Sequence, residues 1–327
     1  MRKFKLIWVI FGLAICLVVF SLAVVWLMLK PVNPAMESSQ KFVVTKGESI
    51  SSIGQKLTTA GLLRHPLVLR GAVYYLQNSW TKSGTSIQAG SFELSPAMNV
   101  WQIVDRLTKG SDDVWLTFLE GWRAEELALT ASSHLTNFST QEFLDMAKPI
   151  EGRLFPDTYL VPLEFSASQL VNLLESTFEA KVTVGLAQEI AESGKTLNDI
   201  LILASLVERE ARDMRQMQQV AGVLNNRLAI GMALQVDATL QYIKGANAQG
   251  EWWAPPLAGD KKIDSAFNTY LHSGLPPKPI CNPSLDAIKA VLKPIDSDYL
   301  YYLHAPDGNI YFAKTLEEHN QNIAKYL

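Results

Sequence analysis

A long hydrophobic run opens the chain, with no charged residue from Leu6 to Leu29. An apolar segment of about two dozen residues can cross the hydrocarbon core of a bilayer as a helix. Arg2, Lys3 and Lys5 precede the run and only Lys30 follows closely, which places the short N-terminus in the cytoplasm and the remainder outside. The run is too long for a cleaved signal peptide, and no small-residue cleavage site follows it. We therefore predict an uncleaved, single-pass membrane anchor.

Shorter patterns follow a polar, proline-containing linker at residues 31–40. Strand-like composition appears at residues 41–45 and 89–94, and apolar residues recur at helical spacing between and after these segments. Together these patterns predict a small α+β module over residues 41–110.

The start of this module, from Lys46 to Leu57, resembles the opening of a LysM-like module. Modules of that type are associated with N-acetylglucosamine polymers. The resemblance is short, so a docking or spacer domain without affinity for sugar is an equally open interpretation.

A second hydrophobic run, from Ile200 to Val207, ends in the acidic sequence Glu208-Arg209-Glu210. Thr196 and Asp199 have the spacing of a capping box, which predicts a buried helix that begins near Leu197. Residues two apart on a helix point to nearly opposite sides, so the two glutamates cannot share one role. A carboxyl carried into an apolar setting by its own helix favours the protonated form and can act as a general acid near neutral pH.

The rest of residues 111–327 alternates helical and extended patterns. The segment Ile150–Tyr159 combines charges, a glycine, a proline and aromatic residues, which is typical of a substrate-facing loop or of a connector in which Arg153 pairs with Asp157. If the segment Met232–Tyr242 is extended, its alternation places Gln235, Asp237 and Thr239 on one face. Near the C-terminus, residues 299–313 predict a β-hairpin.

Composition narrows the possible functions. The 327 residues carry a net charge of -3 with a pI near 6.0, so no basic footprint for nucleic acid is present. The cysteines, Cys16 and Cys281, predict no disulfide framework, because the first lies in the apolar run. The five histidines lack metal-ligand spacing, so neither a metal site nor a cofactor is predicted.

With these elements in order, the chain resembles the endolytic lytic transglycosylases of the bacterial cell wall, the MltG (YceG-like) family. Beyond the anchor and the LysM-like module, the resemblance rests on a series of segments: Ile150–Tyr159, Glu208–Glu210, Asn225–Tyr242, Phe267–Pro283 and the pair His319-Asn320. Val236 and Ala238 stand where the family usually has Thr and Pro, and Phe267 where Tyr is common. The overall prediction is an α+β protein with an N-terminal transmembrane helix (residues 1–30), the linker, the module and a larger mixed helix and strand catalytic domain (residues 111–327).

The resemblance implies cleavage of the β-1,4 bond between N-acetylmuramic acid and N-acetylglucosamine within nascent peptidoglycan strands. The product would carry a 1,6-anhydromuramyl end, and the enzyme would act as a terminase of glycan elongation. The implied partners are glycan strands and peptidoglycan synthases (penicillin-binding proteins), at the extracytoplasmic side of the cytoplasmic membrane. One carboxyl suffices for this chemistry, because no water attacks.

The charged residues that follow Glu208 and Glu210 at helical spacing distinguish the roles of the two glutamates. Arg212 lies four residues after Glu208, so an ion pair is expected to hold Glu208 ionised. Glu210 has no such partner and meets Asp213, a like charge that favours the protonated form. The catalytic glutamate of the family also aligns with the second acid. We therefore predict Glu210 as the acid/base and Glu208 as a supporting residue.

Other polar residues of the matched segments are expected to line the sugar groove: Gln235, Asp237, Thr239, Asn268, Tyr270, Asn282, Glu151 and Asp157. Most of these could equally hold the fold together. Asp237 could supply a second carboxylate if the enzyme were a muramidase that hydrolyses the bond with Glu210. The alternative from another class is a non-catalytic, membrane-anchored scaffold that binds peptidoglycan.

Overall fold

The computed structural model describes residues 2–45, 47–78, 86–110 and 113–327, without the side chains of residues 2–12 and 14. This part of the chain is mixed and mostly helical, with small two-stranded sheets, so the predicted mixture of helices and strands is confirmed. It divides into two compact units, Met1–Leu116 with Tyr159–Leu163, and Thr117–Thr158 with Glu164–Leu327. The functional boundaries at residues 30, 40 and 110 stay predictions.

The first unit contains helices α1 to α4 and strands β1 and β2, and its chain continues into β3. In order, the bounds are α1 Arg2–Leu29, β1 Gln40–Val44, α2 Ile50–Thr59, α3 Pro66–Gln77, β2 Gly90–Leu94, α4 Val100–Thr108 and β3 Asp113–Thr117. Over the described residues, no helix is both long enough and apolar enough for a membrane crossing. The predicted span begins at Leu6, whose side chain lies outside the described ones, as does the whole of Lys46 at the start of the LysM-like segment.

A small core holds this unit together. Strands β1 and β2 are antiparallel, with Phe42 opposite Phe92, and both rings are buried against helices α2 to α4. Ser49 caps α2, and Asn99 forms a capping box with Gln102 at the start of α4. The segment predicted as a linker is partly bound to the unit, because the Arg64 guanidinium donates to the carbonyl oxygens of residues 31 and 32 at 2.7 and 3.2 Å.

The remaining elements belong to the second unit, except for most of β4, which pairs with β3. Their bounds are β4 Thr158–Pro162, α5 Ala124–His134, α6 Thr140–Ala147, α7 Ala167–Phe178, α8 Ala187–Ser193, α9 Leu197–Glu210, α10 Met214–Ala229, α11 Asp237–Lys244, α12 Leu285–Leu292, β5 Tyr301–His304, β6 Ile310–Ala313 and α13 Leu316–Tyr326. Six residues, 179–184, extend α7 as a π-helical segment.

Helix α9 lies at the centre of the second unit. Every residue from Ile200 to Val207 is buried, and α10, α11 and α12 pack around it. The helix begins at Leu197 as predicted, because the Thr196 hydroxyl accepts the Asp199 backbone N–H at 3.1 Å. It ends at Glu210, and Ala211 is already extended, with φ -140° and ψ 157°. The apolar helix therefore carries its two acids to the edge of the core.

The prediction of an extended segment around Gln235 was wrong. Asp237 starts helix α11, and Gln235 before it has a left-handed backbone, with φ 51°. The apparent alternation arises because Leu234, Val236 and Ala238 are all buried. Buried and exposed residues can therefore alternate over a few positions at the start of a helix, without an extended strand.

The predicted C-terminal hairpin is confirmed. Strands β5 and β6 pair antiparallel, with Tyr302 opposite Phe312. The end of α10 holds the approach to β5: the Asn226 amide donates to the Ser297 and Tyr299 carbonyls at 2.7 and 3.0 Å, and the buried Arg227 guanidinium donates to the Leu300 carbonyl at 2.6 Å. These bonds fix the hairpin in the second unit.

Candidate active site

A cleft of about 740 Å³ lies at the C-terminal end of α9. The last turn of α9, the first turns of α11 and the turn of the β5–β6 hairpin form its walls. Its titratable and charged side chains are Glu208, Arg209, Glu210, Arg212, Asp237 and His304. All of these residues belong to the second unit. The cleft therefore brings together Glu210 and Asp237, which the sequence placed far apart.

The Glu210 carboxylate is held by the hairpin. The Tyr302 hydroxyl donates to its Oε2 at 3.1 Å, and His304 Nε2 lies 3.2 Å from the same oxygen. The Glu210 side chain is 11% exposed and that of His304 is 47% exposed. Glu210 is thus recessed, yet it faces an open cleft rather than the closed core.

Glu208 has a different set of partners. Its Oε2 accepts the backbone N–H of Ser284 at 2.9 Å and the Ser284 hydroxyl at 2.5 Å, at the start of α12. Burial raises the pKa of Glu208, the two bonds from Ser284 lower it, and the charge of Glu120 raises it further. Glu208 is therefore held by the start of α12, and its supporting role stays a prediction.

The helical ion pair predicted for Glu208 is not formed: among the described residues, no ion pair joins it to Arg212. The reason is that α9 ends at Glu210, so Arg212 lies beyond the last turn and the four-residue spacing no longer places the two side chains together. For the same reason Asp213 is not a helical neighbour of Glu210. It caps α10 instead, accepting the Gln216 backbone N–H at 2.9 Å.

Asp237 and Tyr270 form a pair at the cleft. The Tyr270 hydroxyl donates to Asp237 Oδ1 at 2.6 Å, and burial together with this bond raises the pKa of Tyr270. Asp237 is exposed at the first position of α11. Asp237 lines the cleft, and the predicted contact of both residues with sugar stays a prediction.

Three predicted sugar contacts are placed elsewhere. Thr239 and Asn268 are fully buried: the Thr239 hydroxyl donates to the Val236 carbonyl at 2.7 Å, and the Asn268 amide donates to the carbonyls of residues 261 and 263 at 3.1 and 2.8 Å. The Gln235 side chain is exposed, and its backbone N–H donates to the Thr269 carbonyl at 3.0 Å. Thr239 and Asn268 thus stabilise the loops around α11 and do not line the cleft.

Glu151 and Asn282 form a second internal network. Asn282 is 1% exposed; its Oδ1 accepts the backbone N–H groups of Gly152 and Leu154 at 2.8 and 3.0 Å, and its amide donates to Glu151 at 2.9 Å. Glu151 also accepts the Ala124 N–H at 2.9 Å. Burial raises the pKa of Glu151 to about 8, and the charge of Glu125 contributes in the same direction. Through these bonds the chain just before α12 is tied to the segment Ile150–Tyr159.

Asp157 lies in a separate depression. It pairs with Lys181 at 2.6 Å, not with Arg153, and this hydrogen bond is the main cause of its lowered pKa. The depression, of about 390 Å³, is lined by Thr117 and by residues 284–286 at the start of α12, all of the second unit. The segment Ile150–Tyr159 is therefore a packed connector at Glu151 and a surface element at Asp157.

Sequence reasoning missed Tyr302 and His304. They are two apart on β5, and a strand places such residues on one face. That spacing was visible in the predicted hairpin. The contact with Glu210 was not, because it spans 92 and 94 residues of sequence.

Within the described residues, no group of three or more His, Cys, Asp or Glu side chains could hold a metal ion. The site is defined by one recessed carboxylate with hydrogen-bond donors on one side and a polar cleft on the other. A carboxyl group in such surroundings can donate a proton and take one up.

The YceG-like family model matches residues 42–325, so the chain belongs to the YceG-like family. It is 28% identical over 337 residues to the endolytic murein transglycosylase of Streptococcus pneumoniae strain R6, covering 90% of this chain but only 60% of that protein's length. It is 27% identical over 330 residues to the endolytic murein transglycosylase of Bacillus subtilis strain 168, covering 92% and 88%. A crystal structure of a YceG-like protein from Listeria monocytogenes matches with a TM-score of 0.59 at 29% identity, over 87% of this chain and 99% of that one. The family resemblance of the sequence is thereby confirmed.

Proposed function

We propose that the protein is an endolytic lytic transglycosylase that cleaves the β-1,4 bond between N-acetylmuramic acid and N-acetylglucosamine in nascent peptidoglycan. The observation that carries the proposal is the position of Glu210, a recessed carboxylate at the end of a buried helix that faces a polar cleft. Relatives that match most of this chain are named endolytic murein transglycosylases, which supports the same reaction.

In the proposed reaction, protonated Glu210 transfers its proton to the glycosidic oxygen while the bond from muramyl C1 to that oxygen breaks. N-acetylglucosamine leaves with the proton as its 4-hydroxyl. The carboxylate then takes the proton of the muramyl C6 hydroxyl as O6 bonds to C1. Glu210 ends protonated, as it began, and the product is a 1,6-anhydromuramyl end without any water consumed.

Asp237 supports a second candidate, because it shares the cleft with Glu210 and is exposed there. As a second carboxylate it could activate water or act as a nucleophile, which would make the enzyme a muramidase. Its hydrogen bond from Tyr270 instead suits an orienting role toward the substrate. The products separate the two reactions, since hydrolysis leaves a reducing end and transglycosylation leaves an anhydro end.

We further propose that the hydrophobic N-terminus anchors the protein in the cytoplasmic membrane with residues 111–327 on the extracytoplasmic side. There the enzyme would act as terminase beside peptidoglycan synthases. The charge pattern at residues 2–5 and the long uncharged run support this orientation.

The test is digestion of defined, uncrosslinked glycan strands by the full chain and by Glu210→Gln, with the masses of the new ends determined. Glu192→Gln, an exposed change of the same kind in the second unit, is the matched control. We expect anhydro ends from wild type and control and none from Glu210→Gln. Full activity of Glu210→Gln would refute the assignment, reducing ends would support the muramidase, and strand binding by wild type without new ends would support the scaffold.

A further inference from the structure

The two oxygens of the Glu210 carboxylate have different surroundings. Both hairpin contacts, from Tyr302 at 3.1 Å and His304 at 3.2 Å, reach Oε2. Among the hydrogen bonds of the described residues, none ends on Oε1. A carboxylate oxygen that accepts two hydrogen bonds has little remaining capacity for a third partner, whereas the other oxygen, Oε1, stays available to the substrate.

We infer that Tyr302 and His304 are positioning residues: they hold Oε2 of Glu210 and leave Oε1 as the oxygen that exchanges the proton with the substrate. The inference rests on the proposed function and assigns a separate role to each oxygen of the Glu210 carboxyl. General acid catalysis requires the carboxyl oxygen to stay within hydrogen-bond reach of the glycosidic oxygen, so a carboxylate free to rotate would lose rate.

Tyr302 is suited to this role across the working pH range. Burial and the neighbouring Glu210 raise the pKa of its phenol well above the usual value. The hydroxyl therefore stays protonated and keeps donating to Oε2. Its ring meets that of His304 edge to face, with centroids 5.5 Å apart, so each side chain limits the rotation of the other.

Strand β5, which carries Tyr302 and His304, is in turn held in place by Arg227. Arg227 of α10 donates to the Leu300 carbonyl at 2.6 Å and to the Leu234 carbonyl at 2.5 Å, and its guanidinium lies 5.5 Å from the Tyr301 ring centre. This residue therefore links β5 to the loop before α11, which carries Asp237. The hairpin is fixed by the core of the second unit and not by its own two strands alone.

The experiment measures kcat and KM of the full chain on defined glycan strands for Tyr302→Phe, His304→Ala and His304→Gln. The matched control is Tyr311→Phe, which removes one phenol hydroxyl from the other strand of the hairpin, where it bonds Asp307 at 3.0 Å. Circular dichroism and a thermal melt of each variant establish the folded fraction, to which kcat is normalised.

Each lost donor is expected to lower kcat about tenfold, because a hydrogen bond to a charged group is removed. In Tyr302→Phe the KM should change by no more than about twofold, since Tyr302 is not among the residues that line the cleft. His304→Gln, which keeps an N–H donor, is expected to recover most of the rate lost in His304→Ala. Glu208, Arg209, Arg212 and Asp237, the other charged groups of the cleft, are unchanged in these variants.

Unchanged kcat in Tyr302→Phe and His304→Ala, beside an inactive Glu210→Gln, would overturn the positioning roles and leave the proposed function standing. An equal loss in Tyr311→Phe would also overturn them, because it would reveal a general sensitivity of the hairpin. Full activity of Glu210→Gln would overturn both the positioning roles and the proposed function.

Discussion

The buried carboxyl of Glu151 makes the stability of the protein depend on pH, and Glu151→Gln tests this. Glu151 is 5% exposed and accepts hydrogen bonds from the Ala124 N–H and the Asn282 amide, both at 2.9 Å. Glutamine has nearly the same shape as the protonated acid and can accept the same two bonds through its carbonyl oxygen. The substitution therefore removes the charge and keeps the contacts.

The size and direction of the effect follow from the pKa of Glu151, which burial raises from 4.5 to about 8. The folded protein holds this proton where the unfolded chain has already lost it. The stabilisation is therefore fully present below pH 4.5 and is lost as the pH rises to about 8. At ~1.4 kcal/mol for each pH unit between the two values, ionisation lowers the free energy of unfolding by about 5 kcal/mol.

The assay is urea denaturation followed by tryptophan fluorescence between about pH 5 and pH 9. Glu151→Gln is expected to match wild type near pH 5 and to exceed it increasingly toward pH 8, with a plateau beyond. The exposed Glu192→Gln should follow the wild-type curve. Parallel curves for wild type and Glu151→Gln would refute the reasoning, because they would mean that Glu151 titrates alike in the folded and unfolded chain.

Three further substitutions test other contacts of the second unit. Gly152→Ala should lower the free energy of unfolding by about 2–4 kcal/mol by urea denaturation, because Gly152 has φ +91° and a Cβ there would lie 2.6 Å from Pro279 Cγ. Asp157→Asn should change stability by less than about 1 kcal/mol in the same assay and leave activity intact, since its ion pair with Lys181 is exposed. Arg227→Lys should lower kcat in the strand assay and change KM less. One ammonium group cannot reach both the Leu300 and the Leu234 carbonyl, so the hairpin would be held less firmly.

Local patterns predicted much of the secondary structure. The capping pair Thr196 and Asp199 located the start of α9, and the apolar run predicted that the helix is buried. The same kind of reasoning failed at the end of the helix, where the spacing from Glu208 to Arg212 suggested an ion pair. Whether a helix continues through Ala211 depends on tertiary contacts, which a single sequence does not display.

The sequence also does not distinguish polar residues that contact sugar from polar residues that stabilise the fold. Asn268 and Asn282 carry polar groups in loop segments, and this pattern is equally typical of substrate contacts and of residues that satisfy buried backbone groups. The structure shows them bound to carbonyl and N–H groups of the protein. Asp237 differs because it lies at the first turn of α11, where its carboxylate suits the helix N-terminus and remains exposed.

The two acids at the end of α9 were expected to differ because they point to different sides of one helix, and their partners show why the difference matters. Glu208 turns to Ser284, 76 residues away, and Glu210 turns to Tyr302, 92 residues away. One carboxyl is therefore held by the start of α12 and the other by the hairpin. Each keeps its partner only while the second unit is folded. Loss of activity on loosening the hairpin should consequently precede loss of the helix itself, because α9 makes its largest contacts with α10 and α12.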